Sequence, residues 1–519
     1  MWKIAVILTI PYRSSIRHLR GPAATSWLSG NIHRWQVDDA AWIATYGPTF
    51  KFKGWFCVHA LYTLDAKALN HVLTHSSNYP KPGTVAFMLG KFLSVRMCVS
   101  GASLCPFPQN PAFWPAQIRE LESIFVEKAH ELKNVWKART LMSQDAVTID
   151  VASDMSKTAL DMIGLAGFNY PLNSLDESGK PNELNAAFTS VFGALTGGGR
   201  GTVYTLLLHH MVPLSRYLPG EFSRLRDASQ EVTRRVGMQL IREKKADVVK
   251  AMSSGKEWSE VLGSRDLLTL LIKANMNSNI PEHQRLSDED VLAREFLIAG
   301  HETTSYGMTW CLFALAQVPE VQQKLREELL AVETEAPSMD ELNALPYLDA
   351  VVRETLRVHP PVRHTVRVAL KDDVIPFGTP FYDRHGRVQD CVRQVMRKDM
   401  QVIIPIQTIN TSEAIWGEDT SEFRPERWEM RPDAAQSVPG VWGNLMTFLG
   451  GPHACIGYRF ALMEMKTLLF VLVRSFTFGL ALPAEDIIKK SAIVQRPYIR
   501  NALEKGSQLP LRVTLYKPT

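Results

Sequence analysis

Apolar residues recur three and four positions apart over 114–140, 150–166, 184–196, 221–250 and 259–275, the spacing that turns one stripe of a helix into a core. The longest such run opens at Ser287, where Asp288, Glu289 and Asp290 suit the amide dipoles of a first turn, and stops at Pro319. A helix of that length is about 45 Å long, enough to cross a large domain. Its centre, Phe296-Leu-Ile-Ala-Gly300, is apolar on every side, as in a helix packed all round. Further helices are predicted at 319–332 and 346–358, and a last one from Cys455 through Leu472. After Pro360-Pro361 the pattern changes: β-branched runs at 366–368 and 402–404, separated by Pro, Gly and Asp, read as short strands and turns over 362–410. The expectation is a mainly α fold with a small β portion, with no linker dividing 23–519.

Composition narrows the function classes. The chain has 519 residues, 45% hydrophobic and 21% charged, and its net charge of +5 is spread along its length. Basic clusters such as Arg242, Lys244 and Lys245 are broken by Glu243 and read as solvated helix faces, so no nucleic acid is expected as a partner. The cysteines, at 57, 98, 105, 311, 391 and 455, form no CxxC pair, which suggests neither a zinc site nor a disulfide framework and fits a reducing compartment. Residues 2–10 are apolar apart from Lys3 and end at Pro11, too short for the roughly 20 residues a bilayer requires. With the basic residues Arg13, Arg17, His18 and Arg20, the segment 1–22 reads as a degraded membrane anchor or a frayed terminus.

Four constellations carry chemistry. In Phe448-Leu-Gly-Gly451-Pro-His453-Ala-Cys455-Ile-Gly457, a tight loop delivers a cysteine to the start of the last helix. Helix N-terminal amides there are expected to lower the thiol pKa, and such a thiolate ligates haem iron; the bland alternative is a structural cysteine beside a Gly-rich turn. In Ala299-Gly300-His301-Glu302-Thr303-Thr304, a threonine hydroxyl that bonds back one turn opens a groove in a buried helix, with Thr303 and Glu302 placed to handle protons. His301-Glu302 lacks the second histidine of a zinc motif. Glu354 and Arg357 share a helix face, and Phe423-Arg-Pro-Glu-Arg427-Trp428 supplies a second arginine. Alone these would be surface pairs of little weight; together they would form a buried charged network. Gly197-Gly-Gly-Arg-Gly201 has no following Lys-Ser/Thr, so it reads as a turn rather than a phosphate loop.

In this order the four motifs resemble the cytochrome P-450 family, from about Trp27 to Tyr516, and the text around Arg363-His-Thr-Val-Arg367 and Asp383-Arg-His-Gly386 is similar to mushroom-type members. The resemblance implies the P-450 fold, with haem b between the long central helix and the Cys455 loop. It implies Cys455 as the axial iron ligand, His453 and Arg367 as propionate contacts, and Phe448 and Gly451 at the proximal face. Ala299, Thr303 and Glu302 would border the oxygen pocket and proton path, while Glu354, Arg357 and Arg427 would brace the loop. The implied activity is a monooxygenase using O2 and NADPH-derived electrons to hydroxylate or epoxidise an apolar, terpenoid-like molecule in fungal secondary metabolism. Electrons would arrive from a separate flavoprotein reductase, with Arg459 and Lys466 as contacts. The setting would be the cytosolic face of the endoplasmic reticulum membrane. Phe296, Val362 and residues near 85–105 and 190–212 would line the substrate pocket.

Three departures stand out. Leu449 replaces a small or polar residue, and the proline hinge is reduced to Leu19-Arg-Gly-Pro-Ala23. The stretch Val95 to Gln109 has prolines at 106 and 108 and no His or Trp where relatives carry a haem-contacting helix, which suits a gene-model error or a loss of function. Two other readings follow: a haem-thiolate isomerase or dehydratase, from which the retained Glu302 and Thr303 argue away, and an inactive haem- or ligand-binding protein.

Overall fold

The computed structural model describes residues 14–83, 113–176, 221–253, 266–276 and 294–517, apart from short breaks within these stretches and a few single residues between them. The predicted helix 184–196, the loop at 197–201 and the unusual stretch at 95–109 therefore lie essentially outside the described residues, as does 1–13.

The helices that frame the site are α1 (Ala66–Thr74), α2 (Glu122–Met142), α3 (Val151–Phe168), α4 (Glu221–Ser253), α5 (Leu267–Met276), α6 (Arg294–Gln317), α7 (Pro319–Leu330), α8 (Pro346–Val358), α9 (Ile406–Asn410) and α10 (Tyr458–Ser475). The sequence expectation of one helix over 114–140 becomes two, Pro115–Glu120 and then α2, because the chain bends at Leu121. α3 stops where Asn169 takes a left-handed turn, and Pro319 closes α6 by opening α7 as its first helical residue. α6 is described from Arg294, so the acidic first turn at Ser287 falls outside. From Thr304 to Ala316 every residue of α6 is buried, in line with its lack of a polar face, and α6 packs along α3. Gly300 allows that approach: a Cβ there would come within 3.2 Å of Ile163.

A four-stranded sheet uses β1 (Thr49–Lys53), β2 (His59–Thr63), β3 (Thr365–Val368) and β4 (Gln401–Ile404) in the order β1-β2-β4-β3. β2 and β4 run parallel, and the two β-branched runs read from the sequence pair antiparallel, with Arg367 opposite Val402. A hairpin of β5 (Ile487–Ser491) and β6 (Gln495–Ile499) lies against α6, where the Trp310 indole donates to the Gln495 carbonyl at 3.1 Å. The apolar interior forms two clusters. The larger gathers α2, α3, α6, α8 and α10, and the smaller joins the four-stranded sheet to α1. No helix among the described residues is long and apolar enough to cross a membrane.

Candidate active site

The Cys455 loop is shaped by backbone that only certain residues tolerate. Met446–Phe448 makes one 3-10 turn and Gly451–His453 another, and the Cys455 amide donates to the Phe448 carbonyl at 2.8 Å. A Cβ on Gly450 would sit 1.8 Å from the Pro439 carbonyl oxygen, and one on Gly451, at φ +68°, 2.4 Å from that of Leu73. Leu449 takes φ 56° and ψ −167°, a region favoured by glycine, which costs about 1–3 kcal/mol.

Cys455 precedes the last helix rather than starting it: α10 begins at Tyr458 with Gly457 at its N-cap. One amide, that of Gly457, bonds to the sulfur and favours the thiolate, but burial outweighs it and pushes the thiol up to about 11. The expected lowering by helix amides is thus overturned for the protein alone; a cation at the sulfur is needed to stabilise the thiolate. Cys455 is exposed although its surroundings bury the thiol enough to raise its pKa, as a side chain facing a recess would be. α6 shows a similar opening. Ala299 is exposed and Gly300 and Thr303 are half-buried, whereas His301, Glu302, Thr304 and Ser305 around them are buried. The Thr303 hydroxyl donates to the Ala299 carbonyl at 2.5 Å, the back-bond expected from the sequence.

A buried arginine lies near the loop. Arg367 on β3 is 3% exposed and bonds only to the Thr365 hydroxyl (2.9 Å) and the Val366 carbonyl (3.0 Å), with no carboxylate on it among the described residues. Burial alone lowers it to about 10. His453 is held below its ordinary value by burial, then by the positive charges of Arg367 and Lys81. Burying an arginine without a carboxylate is costly, so this cluster favours an anionic occupant. A haem, with two propionates and an iron that accepts thiolate, fits both features. Phe448 is buried against Trp442, ring edge to face at 5.8 Å.

The charged motifs form a buried network. Glu354 and Arg357, both fully buried, make a two-pronged pair at 2.9 and 2.8 Å. Arg427 reaches Glu354 at 3.4 Å, and the Trp428 indole and Arg424 amide donate to it as well. Arg357 continues to the carbonyls of Asn410 (3.1 Å) and Thr420 (2.7 Å), and Arg427 to Asp419 at 2.6 Å. Asn410 then accepts from the Met446 amide and donates to the Thr447 hydroxyl, so the network ends at the first residues of the Cys455 loop.

Other predicted residues fall differently. Glu302 faces Arg496 of β6 in a buried ion pair, and His301 meets the Ser156 hydroxyl at 2.8 Å. Lys466 is not a surface residue: it is 3% exposed and bound to Asp349 (2.8 Å) and Asn343 (2.9 Å), which removes it as a docking contact. Arg459 is exposed. Val362 is half-buried, while the Phe296 side chain and residues 190–212 give no lining to describe, save single positions. Arg496, Lys81 and Asn410 were not visible as site residues in the sequence; none carries a local pattern that separates it from ordinary polar positions.

The family model for cytochrome P450 matches residues 109–499. The chain belongs to the cytochrome P450 family. A cytochrome P450 monooxygenase of Postia placenta is 51% identical over 99% of this chain and 95% of its own length. A cytochrome P450 monooxygenase of Ampulloclitocybe clavipes is 34% identical over 95% of this chain and 92% of its own. A ganoderic acid synthetase of Ganoderma lucidum is 32% identical over 84% of this chain and 82% of its own. As a P450 the protein is an oxidoreductase of the monooxygenase kind, and the family implies haem, O2, a redox partner and a small-molecule substrate. The P450 fold expected from the motif order holds, and the P450 match begins where the unusual stretch 95–109 ends.

Proposed function

We propose that the chain is a single P450 domain over 23–519 that would hold haem b through the Cys455 thiolate and inserts one oxygen atom of O2 into an apolar small molecule. The observation that carries this is the pairing of an exposed cysteine in an enclosed setting with a buried arginine that has no carboxylate partner among the described residues. In this reading the hollow at Cys455 and the opening at Ala299 and Thr303 are one pocket. Bound haem supplies the iron at which dioxygen is reduced and cleaved. The chain's residues do the rest. Arg367 and Lys81 would neutralise the propionates, His453 would meet one by hydrogen bond, and the Gly457 amide would temper the sulfur's electron donation. Thr303 leaves its oxygen open to the groove and offers a hydroxyl there for proton transfer. Glu354, Arg357 and Arg427 act on none of the reacting atoms; they hold the loop still.

The finer assignments follow the relatives. Electrons from NADPH through a flavoprotein reductase suit the exposed Arg459 beside the loop. A terpenoid-like substrate from fungal secondary metabolism is in keeping with the name of the Ganoderma relative. The cytosolic face of the endoplasmic reticulum is the proposed location, with 1–22 as the attachment.

The test is the carbon-monoxide difference spectrum of the reduced protein. A strongly red-shifted Soret band that disappears in Cys455→Ala supports thiolate-bound haem. Haem-free protein, or an unshifted band in the unaltered chain, overturns the reading.

A further inference from the structure

The strand β5 carries two adjacent lysines, and strand alternation sends Lys489 and Lys490 to opposite faces of the hairpin. Both residues are exposed, but their amines end differently. The Lys490 amine lies over the Tyr498 ring of β6, 4.9 Å from its centroid. The Lys489 amine turns inward instead. It sits 2.7 Å from Nδ1 of His359, the residue that closes α8, and 5.2 Å from the centroid of the Trp310 ring on α6. These two partners are fixed in their turn. Trp310 and His359 are buried and stacked, with ring centroids 5.4 Å apart, and the His359 amide donates to the Thr355 carbonyl at 2.8 Å. The fold thus holds a lysine amine against an imidazole and an indole, with no carboxylate on it among the described residues.

Neither partner supplies the negative charge that keeps a lysine protonated. His359 is neutral: burial first, then the charges of Lys489 and Arg357, holds it well below its ordinary value. The indole face favours a cation only weakly. Burial lowers Lys489 itself to about 8, and the Arg363 guanidinium adds to the effect. Pro497, opposite Lys489 on β6, brings no charge to counter it. An amine desolvated beside a cation sheds its proton close to neutral pH, and the freed lone pair makes it a nucleophile. We propose that Lys489 is a covalent modification site that takes small aldehydes as imines, with His359 and Trp310 holding the amine in place. The nitrogen forms a double bond to the carbonyl carbon, and the carbonyl oxygen leaves as water with the two amine hydrogens. Nothing is oxidised or reduced. Lys489 is an exposed residue, so an aldehyde reaches it from solvent. None of these residues belongs to the Cys455 loop, and the proposal does not rest on the monooxygenase reading.

The experiment treats the haem-loaded full chain with limiting benzaldehyde and cyanoborohydride, which traps the imine as a benzylamine. Tandem mass spectrometry then locates the label. Lys490 is the internal control, since one peptide can carry both lysines. At pH 7.5 labelling of Lys489 is expected to run about tenfold ahead of Lys490. That ratio should shrink towards pH 9.5, where ordinary lysines begin to lose their protons too. Lys489→Arg should remove the label at 489, leave that at Lys490 unchanged and keep the carbon-monoxide band. Equal labelling of the two lysines at pH 7.5 overturns the proposal, and so does a ratio that stays constant with pH, the mark of access alone. Both readings come from the unaltered chain, so the test stands even if Lys489→Arg does not fold. Absence of the carbon-monoxide band from the unaltered chain sinks the monooxygenase reading alone, and the labelling ratio is read all the same.

Discussion

The Oδ1 atom of Asn410 accepts the backbone amide of Met446 at 2.9 Å, and the same side chain donates to the Thr447 hydroxyl at 2.8 Å. Its own carbonyl takes a bond from Arg357. Asn410 is fully buried, so it relays the position of α8 to the start of the Cys455 loop. Replacing it with alanine strands the Met446 amide in the interior. Asn410→Ala is therefore expected to cost about 1–3 kcal/mol, read as a lower midpoint in chemical denaturation. Haem retention after gel filtration should fall with it. Unchanged stability and haem content would show that the loop stands without this relay.

Glu354 answers two buried guanidinium groups at once. Glu354→Ala leaves Arg357 inside the protein without its carboxylate and Arg427 with Asp419 alone, and a loss of about 3–5 kcal/mol is expected. The variant should accumulate as insoluble or haem-free protein. The exposed pair of Arg119 and Asp340 is the control: Arg119→Ala should leave the denaturation midpoint where it was.

Among the glycines of the loop, position decides tolerance. Gly451→Ala forces a Cβ onto the Leu73 carbonyl oxygen in a backbone region that L residues avoid, and should abolish the red-shifted carbon-monoxide band. At Gly457 a Cβ would meet nothing within 4 Å, so Gly457→Ala should keep it. Loss of the band in both variants would mean that the clash is not the cause.

His301 is held to about 4, chiefly by burial, against an ordinary 6.5. Between those values the unfolded chain binds a proton that the folded one refuses, so stability present above pH 6.5 falls as pH drops towards 4. At pH 5 this one residue accounts for about 2 kcal/mol. His301→Asn should flatten the fall in denaturation midpoint between pH 7.5 and pH 5. A slope equal to that of the unaltered chain would assign the effect to other groups, such as His364, which burial also holds to about 4.

The strongly periodic helices were legible because burial on one face leaves a mark every three or four residues; α3 and α8 fall within a few residues of their expected bounds. Strands β3 and β4 were legible from β-branching, whereas β1 and β2, at 49–63, were not singled out. The charged network was readable only as a conditional: Glu354 and Arg357 share a face, but nothing local says that the face is buried. Partners distant in sequence were unreadable in principle. Arg496 meets Glu302 across 194 positions, and the chain text around it is that of a plain strand. Lys466 misled for the opposite reason, since a lysine on a helix is usually solvated and this one is enclosed by Asp349 and Asn343.

Gly451 touches the backbone of Leu73 at the end of α1, while its neighbour Gly450 touches Pro439. The cradle for the sulfur is thus half built by a segment synthesised early and half by one synthesised near the end. A nascent chain cannot assemble it piecemeal: until the residues around 450 emerge, the surface offered by α1 has nothing to close on. The last loop therefore closes only where residues far apart in the chain have come together.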